Sequence, residues 1–169
     1  MYIAGIKYCD VADGPGVRVG LYVSGCTHHC PGCHNREAQA FSFGKCFTEE
    51  IAQKIIESSK VPYVTGLSLL GGEPMEPENQ RALVPFLERW HQEVPGKDIW
   101  CWTGCIYEAQ LLKPSPWRCE ATDDMLRNID VLVDGPYIEA KRDLTLKFRG
   151  SSNQRILKLH PQVKDISWR

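Results

Sequence analysis

Short apolar runs alternate with helical repeats along most of this chain, and that alternation constrains its fold more than any other feature. Val17–Ser24 (VRVGLYVS), Gly66–Leu70, Asp98–Thr103 and Val131–Val133 are continuous apolar runs rather than alternating ones. Runs of this length and composition read as buried strands. Between them, Thr48-Glu49-Glu50 supplies a hydroxyl cap and first-turn acids, and Ile51, Ile55 and Ile56 continue a helical face to about Ser59. A second helix is expected from about Glu78 to Trp90, with Leu83, Phe86, Leu87 and Trp90 on one side and a kink or broken turn at Pro85. Thr122-Asp123-Asp124 opens a third, and Ile156–Leu159 offers a fifth strand. The pattern predicts an α/β fold with a mostly parallel sheet buried on both faces. A closed eight-stranded barrel takes about 250 residues. The 169 residues here predict one domain over 1–169, built as a partial, open βα barrel.

In such sheets, ligands bind beyond the carboxyl ends of the strands. The unusual residues fall there: Cys26 after the first run, Gly71-Gly72-Glu73 after the second, Thr103-Gly104 after the third, Asp134 after the fourth. Four loops at one rim predict one site.

Charge narrows the partners. The net charge is −1, without the basic excess of a nucleic-acid module. Residues 1–140 carry 12 basic against 19 acidic side chains, whereas residues 141–169 carry 8 against 2. That basic segment reads as a solvated face or as a docking surface for an acidic partner. No stretch approaches the roughly 20 apolar residues of a membrane span, and the N-terminus lacks a secretory core. The expectation is a cytosolic chain that binds neither membrane nor nucleic acid.

Eight cysteines then call for an explanation, because disulfides are rare in a reducing compartment. Cys26, Cys30 and Cys33 lie in Ser24-Gly25-Cys26-Thr27-His28-His29-Cys30-Pro31-Gly32-Cys33-His34-Asn35, a C-x3-C-x2-C spacing. Three thiolates and a histidine can hold zinc. Structural zinc sites usually draw ligands from two separated knuckles, however, and no matching second pair is evident. A cubane iron–sulfur cluster usually takes four thiolates. Three on one loop hold three irons and leave the fourth open, as a catalytic metal requires. Gly25 and Gly32 let the backbone wrap closely around a bulky group. His28 and His29 read as loop surface, Cys101 and Cys105 as core thiols; Cys9, Cys46 and Cys119 belong to no motif.

The cysteine loop, with Gly71-Gly72-Glu73-Pro74 after a later strand, resembles the radical S-adenosylmethionine superfamily. Asp13-Gly14-Pro15-Gly16-Val17-Arg18, Cys30-Pro31-Gly32-Cys33, Trp102-Thr103-Gly104, Val133-Asp134-Gly135 and Arg149-Gly150-Ser151-Ser152-Asn153-Gln154 follow in order over about residues 5–157. Together they are similar to the activases of anaerobic ribonucleotide reductase. The resemblance implies a [4Fe-4S] cluster on Cys26, Cys30 and Cys33, whose open iron binds S-adenosylmethionine. It implies reductive cleavage to methionine and a 5′-deoxyadenosyl radical, which makes a glycyl radical on the reductase large subunit. It also implies an electron donor such as reduced flavodoxin. Gly71, Gly72 and Glu73 would then offer backbone groups to the methionine amino end. Gly32 and His34 would lie near the adenosyl part, although many superfamily members carry an aromatic residue where Gly32 stands. Thr103, Asp134 and, more weakly, Asp13 are candidates for ribose hydroxyls or a cation. Two other readings stay open: an activase of another glycyl radical enzyme, of the pyruvate formate-lyase type, and a non-catalytic zinc-binding interaction module. Lys147, Arg149 and Arg155 are the expected docking cations of the basic segment.

Overall fold

The computed structural model describes residues 1–160. Seven strands form one open sheet: β1 Tyr2–Asp10, β2 Val17–Val23, β3 Lys45–Cys46, β4 Val64–Gly71, β5 Asp98–Trp102, β6 Val131–Asp134 and β7 Arg155–Lys158. Their order is β3-β1-β2-β4-β5-β6-β7. The central four, β2-β4-β5-β6, are parallel, as the continuous apolar runs predict. The sheet as a whole is mixed, since β1 pairs antiparallel with β2 and β3, and β7 antiparallel with β6. Residues 161–169, the end of the basic segment, lie outside the described residues.

Three helices connect the parallel strands: α1 Glu49–Lys60, α2 Pro77–Glu93 and α3 Thr122–Arg127. Thr48 caps α1 by accepting the Ile51 amide at 3.4 Å. Pro77 opens α2, where its missing N–H costs nothing and its fixed φ suits a helix. The helix is not broken at Pro85: α2 runs continuously through it. Pro85 lies on the exposed side, where water can take the carbonyl that loses its amide partner.

All three helices pack on one face of the sheet. Ile55 and Ile56 of α1, Leu83, Leu87 and Trp90 of α2, and Met125 of α3 join Val19, Leu21, Leu67, Leu69, Ile99 and Leu132 in one dry cluster. The register aligns Leu21, Leu69, Cys101 and Leu132 in one row beneath them. The opposite face is buried too, as the apolar runs predict, but by loops rather than helices. There Trp100, Val131 and Val133 pack with Phe148 from the segment before β7. Arg18, wholly buried, pairs with Asp98 Oδ1 at 2.6 Å and donates to Ser68 Oγ and the Leu67 carbonyl, each at 2.8 Å.

Candidate functional site

The loops after β2, β4, β5 and β6 meet at one rim around a cavity of about 430 Å³. Its wall takes Cys26, Cys30, Cys33 and His34 from the first loop, and Gly71, Gly72 and Glu73 from the second. Thr103 and Gly104 come from the third and Gly135 from the fourth. Asp13, from the turn before β2, also lines it. So do Phe148, which no motif included, Arg149, an expected docking cation, and Gln154, which belongs to the motif that carried the resemblance but had no assigned role.

The start of the cysteine loop is tied to the turn at Glu37–Gln39 and to the head of α2. The Gly25 and Cys26 amides donate to the Ala38 and Gln39 carbonyls at 2.8 and 3.1 Å. The Thr27 amide and hydroxyl both donate to Glu76 Oε1, at 2.7 and 2.6 Å. Burial pushes the Cys26 thiol up to about 12, aided by the nearby Glu73 charge and opposed by an N–H from His28. Burial likewise raises Cys30, against an N–H from Tyr137. Amide donors to these sulfurs suit thiolates that ligate a metal centre, and a bound metal would deprotonate them outright. Three clustered thiols on a cavity wall, two with N–H donors, fit the donor set of an iron–sulfur cluster.

Glu73 holds the rim together. Its carboxylate is 1% exposed. It accepts the Met75 amide at 2.8 Å and the Gly104 amide at 2.7 Å, and faces His28 Nε2 at 2.9 Å. Burial disfavours the charged imidazole, but Glu73 outweighs it and raises the His28 pKa. His28 also stacks on Trp117, with ring centroids 4.5 Å apart and planes 16° apart. The loop-surface reading of His28 is therefore corrected. The Trp117 ring that covers it comes from the Pro-rich segment before α3, and no local signal announces that contact. His29, exposed at φ 48°, is indeed surface.

The glycines serve the protein's own packing. A Cβ on Gly72 would stand 2.5 Å from the Gly25 carbonyl oxygen and 2.8 Å from that of Ala38. The Gly72 and Glu73 amides already donate to the Val23 and Gly25 carbonyls, so neither is left to meet a ligand.

Two expected site residues lie off the cavity wall. Gly32 has φ +76° and sits against the Glu139 carboxylate. Asp134, 1% exposed, accepts from Arg155 Nε at 2.9 Å and from the Tyr107 amide at 2.9 Å. Asp134 and Arg155 are register partners on β6 and β7. Arg155 also reaches Glu108 at 2.6 Å, so its charge is answered within the fold. Arg149 Nη1 donates to the Gln154 carbonyl at 3.0 Å. Of the three expected docking cations, Lys147 and Arg155 are exposed and Arg149 is half-buried. Cys101 and Cys105 are buried thiols, as read, and Cys9 and Cys46 are exposed. No helix among the described residues is long and apolar enough to cross a membrane.

Comparison with known proteins agrees with this geometry. A family model described as a 4Fe-4S single cluster domain matches residues 12–157. An anaerobic ribonucleoside-triphosphate reductase-activating protein of Vibrio cholerae is 44% identical over 149 residues, covering 87% of this chain and 91% of the relative. That of Salmonella typhi is 40% identical over 147 residues, or 86% and 90%. That of Enterobacteria phage T4 is 36% identical over 150 residues, 88% of each. With a cysteine-lined cavity at the rim of an open α/β sheet and relatives this similar along nearly their whole length, the chain belongs to the family of anaerobic ribonucleoside-triphosphate reductase-activating proteins.

Proposed function

We propose that this chain activates anaerobic ribonucleotide reductase by placing a glycyl radical on its large subunit. The observation that carries the reading is the placement of Cys26, Cys30 and Cys33 on one cavity wall at the carboxyl ends of parallel strands. Cys26, Cys30 and Cys33 would hold a [4Fe-4S] cluster, and that group would supply the electron for cleaving S-adenosylmethionine to methionine and a 5′-deoxyadenosyl radical, which would take hydrogen from a glycine Cα of the partner.

The chain's residues bind, orient and exclude. The His28 and Tyr137 amides steady the sulfurs of Cys26 and Cys30. The Gly71 and Gly72 carbonyls match the ammonium of a methionine moiety. Thr103 and His34 line the remaining wall toward the nucleoside. Phe148 and Arg149 close the side facing β7 and limit water. The open sheet is a partial βα barrel of the radical S-adenosylmethionine type, and its free rim admits a polypeptide loop. A reduced flavodoxin or similar carrier delivers the electron.

The test is anaerobic. The iron-replete chain is reduced with S-adenosylmethionine and the reductase large subunit. Formation of 5′-deoxyadenosine and a glycyl-radical resonance on the reductase supports the reading. A signal only with a pyruvate formate-lyase-type partner, or no deoxyadenosine at all, refutes it.

A further inference from the structure

Beside the cavity, three side chains from three different loops converge on one small volume. They are His28 from the cysteine loop, Glu73 from the loop after β4 and Cys105 from the loop after β5. Their Nε2, carboxylate oxygen and Sγ all lie within 4.8 Å of one another. His28 Nε2 stands 2.9 Å from Glu73 Oε2 and 3.7 Å from Cys105 Sγ. The His28 side chain is 10% exposed, Glu73 1%, and Cys105 is fully buried.

A Cys–His–Glu relay is ruled out by connectivity. A relay needs the carboxylate on one imidazole nitrogen and the thiol on the other. Here the same nitrogen faces both. One nitrogen carries one proton, so a hydrogen bond to Glu73 leaves the thiol without a comparable partner in the imidazole. Three donor atoms from three loops, all within 4.8 Å of one another, are close enough to share one ion. Imidazole, carboxylate and thiolate together are a borderline-soft set that suits Zn²⁺.

Each donor is also fixed from behind, as ligands of built metal sites are. The Met75 and Gly104 amides orient the Glu73 carboxylate. Trp117 stacks flat on His28. The Cys105 amide donates to Thr103 Oγ1 at 3.0 Å, which sets the turn that carries the thiol.

We propose that His28, Glu73 and Cys105 form a mononuclear Zn²⁺ site, with the fourth position open toward the cavity on the His28 side. The ion cross-links the loops after β2, β4 and β5 and so fixes the cysteine loop before its own cofactor arrives. The site goes beyond the proposed activation and does not require it.

The test uses the whole chain, purified anaerobically with its iron from cells supplied with zinc. Elemental analysis is expected to give about one zinc per chain. Cys105→Ala is expected to lower zinc at least tenfold while iron and sulfide hold, and Cys119→Ser to leave all three unchanged. Because Cys105→Ala leaves a buried gap, zinc-edge X-ray absorption on the unaltered chain gives a second reading. One sulfur at about 2.3 Å with nitrogen and oxygen at about 2.0 Å is the expected shell. A shell of two or three sulfurs assigns the zinc to Cys26, Cys30 and Cys33 and overturns the proposal. So does zinc that is absent from the unaltered chain or unmoved in Cys105→Ala. Iron, sulfide and deoxyadenosine are read in the same samples, so failure of the zinc site and failure of the activase reading are separable.

Discussion

Under the helices, Val19, Leu21, Leu67 and Leu69 belong to one apolar cluster. On the opposite face Arg18 bonds Ser68 and lies over Trp100, while Ser68 donates to the Asp13 carbonyl and Trp100 packs on Phe148, both from loops. The first face is filled by volume, and its free energy comes from apolar burial, which is indifferent to direction. The second face adds directed bonds around Arg18 to a smaller apolar cluster, and the loops at the strand ends carry the thiols and the cavity. Stability is concentrated on one side of the sheet and chemistry on the rim and face opposite. A substitution that damages one should leave the other measurable.

The largest expected effect is functional. Cys30→Ala, and equally Cys26→Ala or Cys33→Ala, should abolish 5′-deoxyadenosine formation and strip most of the iron. The thermal midpoint of the metal-free chain should barely move, because these half-exposed rim thiols pack little core. A drop in that midpoint comparable to a core deletion breaks the division of labour. On the other side, Trp90→Ala removes the largest fully buried side chain under α2. It should cost about 3–5 kcal/mol in urea unfolding, while iron bound per folded chain stays unchanged.

How far the sequence reveals these two faces follows from the same contrast. Helix α1 is legible because Thr48, two acids and an Ile51-Ile55-Ile56 face form a local pattern, and α2 for the like reason. Strand β1 escapes because Lys7, Tyr8 and Cys9 interrupt its apolar positions and its burial comes from β2 rather than from its own pattern. The antiparallel placement of β7 is equally nonlocal. It takes Asp134 out of the cavity by setting Arg155 opposite it. Four rim loops and three cysteines are readable as one site because topology alone brings strand ends together. His28 is not, since its burial depends on Trp117 and Glu73, and no spacing rule links those three.

Arg18 tests the directed face. Arg18→Met keeps most of the volume but leaves Ser68 Oγ, the Leu67 carbonyl and Asp98 without their donor. Asp98 is 31% exposed, so water recovers part of the loss. The expected cost is about 2–3 kcal/mol, below that of a fully buried pair. A neutral or stabilising result means that this face, too, is governed by volume. Thr48→Ala is milder. Its cap bond at 3.4 Å is long, and about 0.5–1 kcal/mol should be lost in denaturant unfolding.

The smallest effect concerns the partner. Arg155 is matched by Asp134 and Glu108, and Arg149 is directed at the Gln154 carbonyl, so reversing either charge disturbs the fold as well as any docking surface. Lys147 stands exposed between Leu146 and Phe148, both of which line the cavity. Lys147→Glu should leave unfolding within about 0.5 kcal/mol of the parent. It should slow association with the reductase or the acidic electron donor by about two- to fivefold at low salt. The difference should fade toward physiological ionic strength, where charges more than about 8 Å apart are screened. An association rate that is unchanged in dilute buffer for both partners removes the basic segment from the docking surface, and leaves the rim itself as the contact.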